Sequence, residues 1–492
     1  MENERKIRVR YAPSPTGRLH VGGVRTALFN WLFARKNGGT FVLRIEDTDL
    51  ERSTEESVEQ LKRSMRWICL DWDEGPEVGG PHPPYRQTER FDLYREAAKK
   101  LLDSGAAYYD FATPEELAEF RERARAEGRQ PIYSGGEYRE MDPGDAKKRI
   151  EAGEAYTVRF KTPREGQTVV DDMIRGPVTF ENAILEDFVL MKSTDTPTYN
   201  FAAAFDDAEM EISHVIRGDD HLSNTPRQIL IHEALGNPLP AFAHVPQVLG
   251  PDRKKLSKRH GAASVEDFAE QGYLPEALFN YLALLGAGYA ADEEIFTPEE
   301  LADRFRIDRV SGNPAVLDEK KLRAVNSVYV RRKSPEELAA LAAPMLVESG
   351  AVTEEELDMP RLRKIMALLR ERIALTTEIP DAVGYFYGGA LDYDEAEFEK
   401  QFGKKFVRDN FPELVERLRT LPEWTEEAIE SAVRGLATER EKGARHLIHP
   451  LRFAVTGRTV SAGLFETMEL LGRDRSLLRA EDVIQKMQSL PV

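Results

Sequence analysis

The sequence predicts an α/β protein built on a parallel sheet, with an α+β insertion and an all-helical carboxyl-terminal region. Three observations support this fold class. Near the amino terminus a strand, a turn, a helix and a second strand follow one another, which is typical of a βαβ unit. From about residue 106 to 185 the pattern changes to a charged helix and short strands. After about residue 325 strand patterns are few.

The βαβ unit is predicted from hydrophobic periodicity. Alternation over residues 7–13 favours a strand that Pro13 ends, and a turn-rich stretch 14–23 follows. Val24–Lys36 has apolar residues at helical spacing, and Thr40–Ile45 is the second strand. Further strands of this type are predicted at Asp187–Met191 and Ile212–Ile216, so we expect the insertion to split the sheet.

Helix starts are marked by a repeated signal in which a hydroxyl residue precedes Pro-Glu-Glu. It occurs at Thr113, Thr297 and Ser334 and predicts a capping box with proline at the first helical position. Together the patterns predict five segments. They are residues 1–105 and 187–250 for the two halves of the sheet domain, 106–186 for the insertion, 251–325 for a helical connection, and 326–492 for the helical region.

Composition excludes several classes of protein. The 492 residues are 41% apolar and 31% charged, which excludes collagen-like and wholly disordered chains. No apolar run approaches the roughly 18 residues of a membrane helix, and the charged amino terminus does not resemble a secretory signal. A single cysteine, Cys69, permits no internal disulfide. We therefore expect a cytoplasmic protein that does not enter membranes.

The net charge of −18 argues against a general nucleic-acid coat, although two windows, 361–372 and 438–458, are locally basic. Both windows have the pattern of solvated helix faces. There is no Gly-x-x-x-x-Gly-Lys-Ser/Thr phosphate loop and no Gly-x-Gly-x-x-Gly fingerprint.

Three groups of residues have chemistry suited to a ligand site. His20-Val-Gly-Gly23 precedes a helix, whose amino-terminal N–H groups attract phosphate. The cationic stretch 254–261 offers lysines that can follow a polyphosphate. Arg10, Glu46 and Arg217 stand at predicted strand ends, where two arginines and a carboxylate suit an acidic amino acid. Taken one at a time, the first group fits an ordinary glycine turn better than a ligand site, the second fits an exposed basic loop better, and the third fits surface ion pairs equally well.

The ordered set of motifs resembles the bacterial glutamyl-tRNA synthetases, which are class I aminoacyl-tRNA synthetases. The resemblance spans nearly the whole chain and is specific because the motifs occur in family order. The motifs are Ala12-Pro-Ser-Pro-Thr-Gly17, His20-Val-Gly-Gly23, Arg44-Ile-Glu-Asp-Thr-Asp49, Tyr85-Arg-Gln-Thr-Glu-Arg90, Thr196-Pro-Thr-Tyr199, Val215-Ile-Arg-Gly-Asp-Asp220, Lys255-Leu-Ser-Lys-Arg259 and Pro450-Leu-Arg-Phe-Ala-Val-Thr-Gly457.

The resemblance implies a Rossmann-type catalytic domain, an acceptor-stem-binding insertion and an anticodon-binding carboxyl-terminal region. It implies Mg·ATP as cofactor, L-glutamate and tRNA(Glu) as partners, and a monomer. The residues it implicates fall into four sets: His20, Lys255 and Lys258 in catalysis; His20, Gly22, Gly23, Asp220, Ser257 and Lys258 at ATP; Arg10, Ala12, Ser14, Glu46, Tyr199 and Arg217 at glutamate; and Arg361, Arg370, Arg372, Arg445 and Arg452 at tRNA.

Three positions qualify what the resemblance implies. The fourth residue of the first signature is Gly23 and not histidine, as is usual for this family, so no second histidine can assist there, and Ala203 stands where some relatives have asparagine. The stretches 108–111 and 133–139 have no cysteine where some relatives bind zinc, so we expect no structural zinc.

Other functions fit the sequence less well. A glutaminyl-tRNA synthetase would end in a β-barrel, a short glutamyl paralogue would lack the last 170 or so residues, and a cofactor adenylyltransferase would be smaller still. A catalytically silent tRNA-binding protein would not need His20, Glu46, Arg217 and Lys258. A non-discriminating form that also glutamylates tRNA(Gln) stays open.

We predict that Lys258→Ala mainly lowers kcat of adenylate formation, because a flexible cation at the phosphates acts as negative charge develops during displacement. ATP–pyrophosphate exchange measures this step. A normal exchange rate would count against the assignment of Lys258.

Overall fold

The computed structural model describes residues 6–49, 52–256, 263–289, 293–389 and 391–489. The chain divides into two compact units. The first takes in the described residues of Met1–Ala269 and Pro275–Glu319, and the second those of Glu270–Leu274 and Lys320–Val492.

Strands of the described residues lie in the first unit and form a large central sheet and two small ones. The strands are β1 (Arg8–Tyr11), β2 (Thr40–Leu43), β3 (Ala107–Asp110), β4 (Thr157–Phe160), β5 (Gln167–Asp172), β6 (Gly176–Glu181), β7 (Val189–Met191), β8 (His214–Gly218), β9 (Ala241–Val245), β10 (Val248–Leu249) and β11 (Ala315–Val316). The central sheet has the order β2-β1-β8-β9-β5-β6, the second has β3-β4-β7, and β10 pairs with β11.

Helices of the first unit flank these strands. They are α1 (Val21–Lys36), α2 (Glu55–Trp67), α3 (Phe91–Asp103), α4 (Pro114–Ala126), α5 (Pro143–Glu151), α6 (Tyr199–Glu209), α7 (Thr225–Leu235), α8 (Val265–Glu270), α9 (Pro275–Leu284) and α10 (Pro298–Arg304). No helix within the described ranges is long and apolar enough to cross a bilayer.

The second unit is helical throughout its described residues. Its helices begin with α11 (Glu319–Arg332), whose first residue still belongs to the first unit. They continue with α12 (Pro335–Glu348), α13 (Met359–Leu369), α14 (Ile379–Gly384), α15 (Glu395–Phe402), α16 (Lys405–Arg419), α17 (Glu426–Glu439), α18 (Arg445–Thr456), α19 (Leu464–Leu471) and α20 (Arg473–Met487). The predicted capping boxes at Thr113, Thr297 and Ser334 are present at the starts of α4, α10 and α12.

The central sheet is parallel from β2 through β5, and only β6 runs antiparallel to its neighbour. The carboxyl ends of β1, β8 and β9 therefore meet at one edge. In open α/β sheets ligands bind outside that edge. The topology consequently places the segments after Tyr11, Gly218 and Val245 next to one another, although they are far apart in sequence.

Two predicted strand placements differ from the structure. The hairpin β5–β6 lies within the range predicted for the insertion, but it extends the central sheet beside β9. Its alternating burial places Val170 in a core cluster with Phe242 of β9. Conversely, β7 does not return to the central sheet and instead pairs antiparallel with β4, where Phe188 stacks on Phe160 at 5.0 Å. In both cases packing between distant segments decides which sheet a strand joins.

Candidate functional site

A cavity of about 1240 Å³ lies at the carboxyl edge of the central sheet. It brings together most of the residues that the sequence predicted for ATP and glutamate, from segments as far apart as Arg10 and Lys255. The predicted residues that line it are Arg10, Ala12, Ser14, His20, Gly22, Gly23, Glu46, Tyr199, Arg217, Asp220 and Lys255. Ser257 and Lys258 lie outside the described residues, so their predicted roles stay predictions.

His20 caps helix α1, which begins three residues earlier than predicted. The main-chain N–H of Gly22 donates to Nδ1 of His20 at 3.2 Å, and Nε2 lies 2.9 Å from the carbonyl oxygen of Leu256. A carbonyl only accepts, so Nε2 carries the proton and Nδ1 is the acceptor. Burial lowers the pKa of His20, which favours this neutral ring. His20 thus connects the start of α1 to the segment that leads into the predicted cationic loop.

Gly23 lies in the first turn of α1, directly against Tyr11. A Cβ atom added at Gly23 would meet the Tyr11 hydroxyl at 2.7 Å, which is closer than real Cβ contacts allow. The glycine that closes the first signature therefore lets α1 approach β1. This close approach holds the helix amino terminus at the cavity, where its N–H groups favour an anion.

Beneath the cavity floor, Asp207 of α6 joins two arginines. It accepts from Arg10 Nε at 2.9 Å and Nη2 at 3.2 Å, and from Arg44 Nη1 at 2.8 Å. Arg44 in turn donates to Glu46 at 2.9 Å. Burial would raise the pKa of Asp207, but Arg10 and Arg44 hold it well below the ordinary value. The network fixes the orientation of Arg10 and Glu46 toward the cavity that both of them line.

Glu46 is itself buried, and burial raises its pKa while Arg44 lowers it. The carboxylate has one arginine partner at 2.9 Å through Oε1. Within the described residues, no hydrogen-bond partner occupies its second oxygen, Oε2. That oxygen can therefore accept from a ligand, and Glu46 is suited to an ammonium group.

Arg217, at the end of β8, is only 5% exposed and has neutral partners. Its Nε lies 3.2 Å from His244 Nε2, its Nη2 donates to Thr225 at 2.8 Å, and its Nη1 lies 3.5 Å from the Tyr199 hydroxyl. Among the described residues no carboxylate is paired with it. Burial lowers the pKa of Arg217, yet a guanidinium keeps its charge at neutral pH. The cavity therefore contains a buried cation whose charge a ligand anion would balance.

His221 lines the cavity beside Tyr199 and was missed by the sequence analysis. Its Nδ1 lies 3.0 Å from the Tyr199 hydroxyl. Burial, followed by the positive charge of Arg217, lowers the pKa of His221 to about 4, so the ring is neutral at pH 7. Ala203 is fully buried in α6 and does not line the cavity.

Sequence reasoning also missed Arg44, Asp172, Asp207, Thr225 and His244. One signal was available, since two adjacent aspartates directly follow the apolar run Phe201–Phe205 in a helix that is otherwise suited to the core. A buried acid pair in such a position needs cationic partners. The sequence does not show which partners those are.

The predicted tRNA residues lie in the second unit and have different surroundings. Arg361 donates to the carbonyl oxygens of Leu470 and Phe386, and Arg452 donates to Ser461 and Ala462. Through these hydrogen bonds both side chains connect segments within the second unit. Arg372 and Arg445 are exposed, and Arg370 is half-buried.

No group of three or more His, Cys, Asp or Glu side chains that would hold a metal ion occurs in the described residues. One residue of each stretch where some relatives bind zinc forms an ion pair with a residue elsewhere in the chain. Asp110 pairs with Arg159 at 2.5 Å, and Asp187 pairs with Arg139 and Arg164. The absence of structural zinc stays a prediction.

Comparisons with known proteins cover nearly the whole chain. A family model described as class I tRNA synthetases (E and Q), catalytic domain, matches residues 6–324, and an anticodon binding domain matches residues 337–484. The chain is similar to glutamate–tRNA ligase 2 of Rubrobacter xylanophilus, with 78% identity over 99% of both chains. It is similar to glutamate–tRNA ligase of Moorella thermoacetica, with 49% identity over 97% of both.

Among solved structures, the chain is similar to a glutamate tRNA ligase from Elizabethkingia meningosepticum in complex with its amino acid. The TM-score is 0.90 and the identity 34%, and the match covers 98% of this chain and 100% of the other. The likeness extends through both the sheet domain and the helical region.

We predict that Asp207→Asn lowers the free energy of unfolding by about 3–5 kcal/mol at pH 7, because it leaves two buried arginines short of an anion. The folded pKa of Asp207 is depressed, so this contribution is fully present above the ordinary carboxyl pKa of 3.8 and decreases as the pH falls below it. Urea denaturation at pH 7, 5 and 3.5 measures the difference between the two proteins.

The matched control is Asp103→Asn on α3, where the carboxylate is exposed and pairs with Lys99. This variant should unfold at the same urea concentration as the parent protein. A small difference for Asp207→Asn at pH 7, or one that grows as the pH falls toward 3.5, would contradict the proposed role of its charge.

Proposed function

This chain belongs to the class I glutamate–tRNA ligases, and on that premise we propose how its cavity attaches L-glutamate to tRNA(Glu). The observation that carries the proposal is the buried Arg217, which has neutral partners and no paired carboxylate among the described residues. A buried cation of this kind favours a ligand with a carboxylate on its side chain. Glutamine, with a neutral amide, would leave the charge unbalanced.

Glutamate would bind through its three charged groups. Arg217 and Tyr199 take the side-chain carboxylate, and Glu46 takes the ammonium group. Asp207 occupies Nε and Nη2 of Arg10, which leaves Nη1 of Arg10, together with Ser14, for the α-carboxylate. Bidentate and charge-assisted contacts of this kind discriminate by geometry as well as by charge.

ATP would lie on the other side of the cavity, against the amino terminus of α1. Gly22 and Gly23 bring main chain close to the nucleotide, and Asp220 and Lys255 line the same space. Mg²⁺ would enter with ATP as part of the co-substrate and neutralise phosphate charge. His20 has both ring nitrogens engaged, so we propose that it acts by holding the segment around Leu256 against α1.

The reaction has two displacements. An oxygen of the glutamate α-carboxylate attacks the α-phosphorus of ATP, and the bond from that phosphorus to the bridging oxygen of pyrophosphate breaks. A terminal ribose hydroxyl of tRNA then attacks the activated carbonyl, loses its proton and releases AMP. No side chain forms a covalent intermediate, so the protein contributes positioning and charge stabilisation.

We predict that Arg217→Ala raises the KM for glutamate by about two to three powers of ten and leaves the KM for ATP nearly unchanged, because it removes the cation that balances the side-chain carboxylate. Steady-state aminoacylation with each substrate varied in turn measures the two constants. Arg227→Ala is the matched control, because Arg227 lies on the nearby helix α7 and does not line the cavity. Unchanged glutamate kinetics in Arg217→Ala would refute the assignment.

We further propose that tRNA(Glu) is the substrate and that the exposed Arg372, after α13, contributes to reading its anticodon. Charging purified tRNA(Glu) and tRNA(Gln) separately should give glutamyl-tRNA mainly from tRNA(Glu), and Arg372→Ala should reduce that preference. An arginine that contacts a base edge contributes about 1–3 kcal/mol of discrimination. Equal charging of both tRNAs by the parent protein would instead establish the non-discriminating form.

A further inference from the structure

Behind Arg217, away from the cavity, lies a buried pair formed by His244 of β9 and Asp172 at the end of β5. Oδ2 of Asp172 lies 2.6 Å from Nδ1 of His244 and also accepts from the main-chain N–H of His244 at 3.0 Å. Neither residue lines the cavity, and the exposed fractions are 2% for Asp172 and 0% for His244. The pair therefore has no direct access to a ligand in the cavity.

The positions of the protons in this pair follow from the hydrogen bonds that each residue makes. Oδ1 of Asp172 accepts from the main-chain N–H groups of Ile174 at 3.0 Å and Arg175 at 2.9 Å. Burial would raise the pKa of Asp172, but the hydrogen bond from His244 and those main-chain donors lower it below the ordinary value. Burial also lowers the pKa of His244. Asp172 is thus an ionised acceptor, so the neutral ring of His244 carries its proton on Nδ1.

With the proton on Nδ1, Nε2 of His244 is an acceptor, and it is the atom nearest to Arg217. Arg217 Nε lies 3.2 Å from it, and the Thr225 hydroxyl lies 3.0 Å from it. Thr225 also accepts from Arg217 Nη2 at 2.8 Å. Two neutral acceptors therefore hold one edge of the guanidinium. The charge of Arg217 stays available, because neither acceptor is an anion.

We propose that Asp172 and His244 are positioning residues for glutamate recognition: Asp172 sets the tautomer of His244, and His244 then holds Arg217 in the orientation that receives the substrate carboxylate. This inference rests on the proposed function of Arg217. It makes glutamate affinity depend on the hairpin β5–β6, which lies within the range predicted for the insertion and does not line the cavity.

The hairpin is attached to this edge of the sheet at a second point. Arg175, in the turn after β5, pairs with Asp219 just after β8 at 2.6 Å. Asp219 precedes the cavity residue Asp220. The end of β5 is thus held against the ends of β8 and β9, and this contact keeps Asp172 in register with His244.

The test is Asp172→Asn, which keeps the shape of the side chain and reverses one hydrogen bond. Main-chain N–H groups surround both oxygen positions and cannot become acceptors, whereas the imidazole can change tautomer. The new amide will therefore donate to Nδ1, and the proton on His244 will move to Nε2. Two N–H donors, on Nε2 of His244 and Nε of Arg217, then face each other and cannot form a hydrogen bond. We expect the KM for glutamate to rise about 10–100-fold, with the KM for ATP changed less than about threefold.

A double-mutant cycle separates positioning from a merely structural role. In His244→Gln the amide oxygen occupies the place of Nε2 and accepts from Arg217 without needing a particular tautomer. We expect this variant to keep a glutamate KM near that of the parent. Adding Asp172→Asn to it should then change the KM little, so the two substitutions will be strongly non-additive. If Asp172→Asn raises the KM for glutamate by the same factor in the parent protein and in His244→Gln, the proposal is overturned.

A third comparison applies if Asp172→Asn fails to fold. His244→Phe removes the acceptor and keeps a planar ring, so its glutamate KM should rise well above that of His244→Gln. Equal KM values for the Gln and Phe variants would also overturn the proposal. All assays use the full chain with saturating tRNA(Glu), and Asp110→Asn, a buried ion-paired aspartate on β3, serves as control.

The outcome is distinguishable from failure of the proposed function. If Arg217→Ala leaves the glutamate KM unchanged, the assignment of Arg217 itself is wrong. If Arg217→Ala raises the KM and Asp172→Asn does not, Arg217 binds glutamate and only the positioning role of Asp172 is refuted.

Discussion

The cost of burying arginines at the carboxyl edge of one parallel sheet is the constraint on which this site depends. A buried guanidinium requires hydrogen-bond acceptors, and an anionic partner removes most of its attraction for a ligand. The buried arginines of this site have different kinds of partner. Arg10 and Arg44 share the carboxylate of Asp207, whereas the acceptors around Arg217 in the described part of the chain are neutral. The proposed selectivity for an acidic substrate rests on that difference.

The same edge of the sheet explains where the proposed nucleotide side of the cavity lies. Helix α1 begins at Val21 because His20 caps it, and Gly23 allows the helix to approach Tyr11. Its amino terminus consequently faces the cavity that also contains Arg10 and Arg217. A single crevice thus offers main-chain donors for phosphate beside side-chain cations for carboxylate. This juxtaposition is what joining ATP to an amino acid requires.

Membership in the glutamate–tRNA ligases confirms the resemblance that the motifs indicated, and the structure adds contacts that the motifs do not contain. The hairpin β5–β6 is the clearest case. In sequence it lies among insertion residues, yet it completes the central sheet and brings Asp172 to His244. A segment distant from the signatures is thereby connected to the arginine that the proposed function assigns to substrate selection.

The sequence by itself determined the features that depend on neighbouring residues. The βαβ start, the capping boxes at Thr113, Thr297 and Ser334 and the helical region after residue 325 follow from patterns a few residues long. The motifs also identified Arg10, Glu46 and Arg217 as candidates. Only the tertiary structure decided how those side chains are held. Arg10 and Asp207 are 197 positions apart, and Asp172 and His244 are 72 apart. Such pairs leave no local pattern, because strand order and packing bring them together, and burial then makes each contact obligatory.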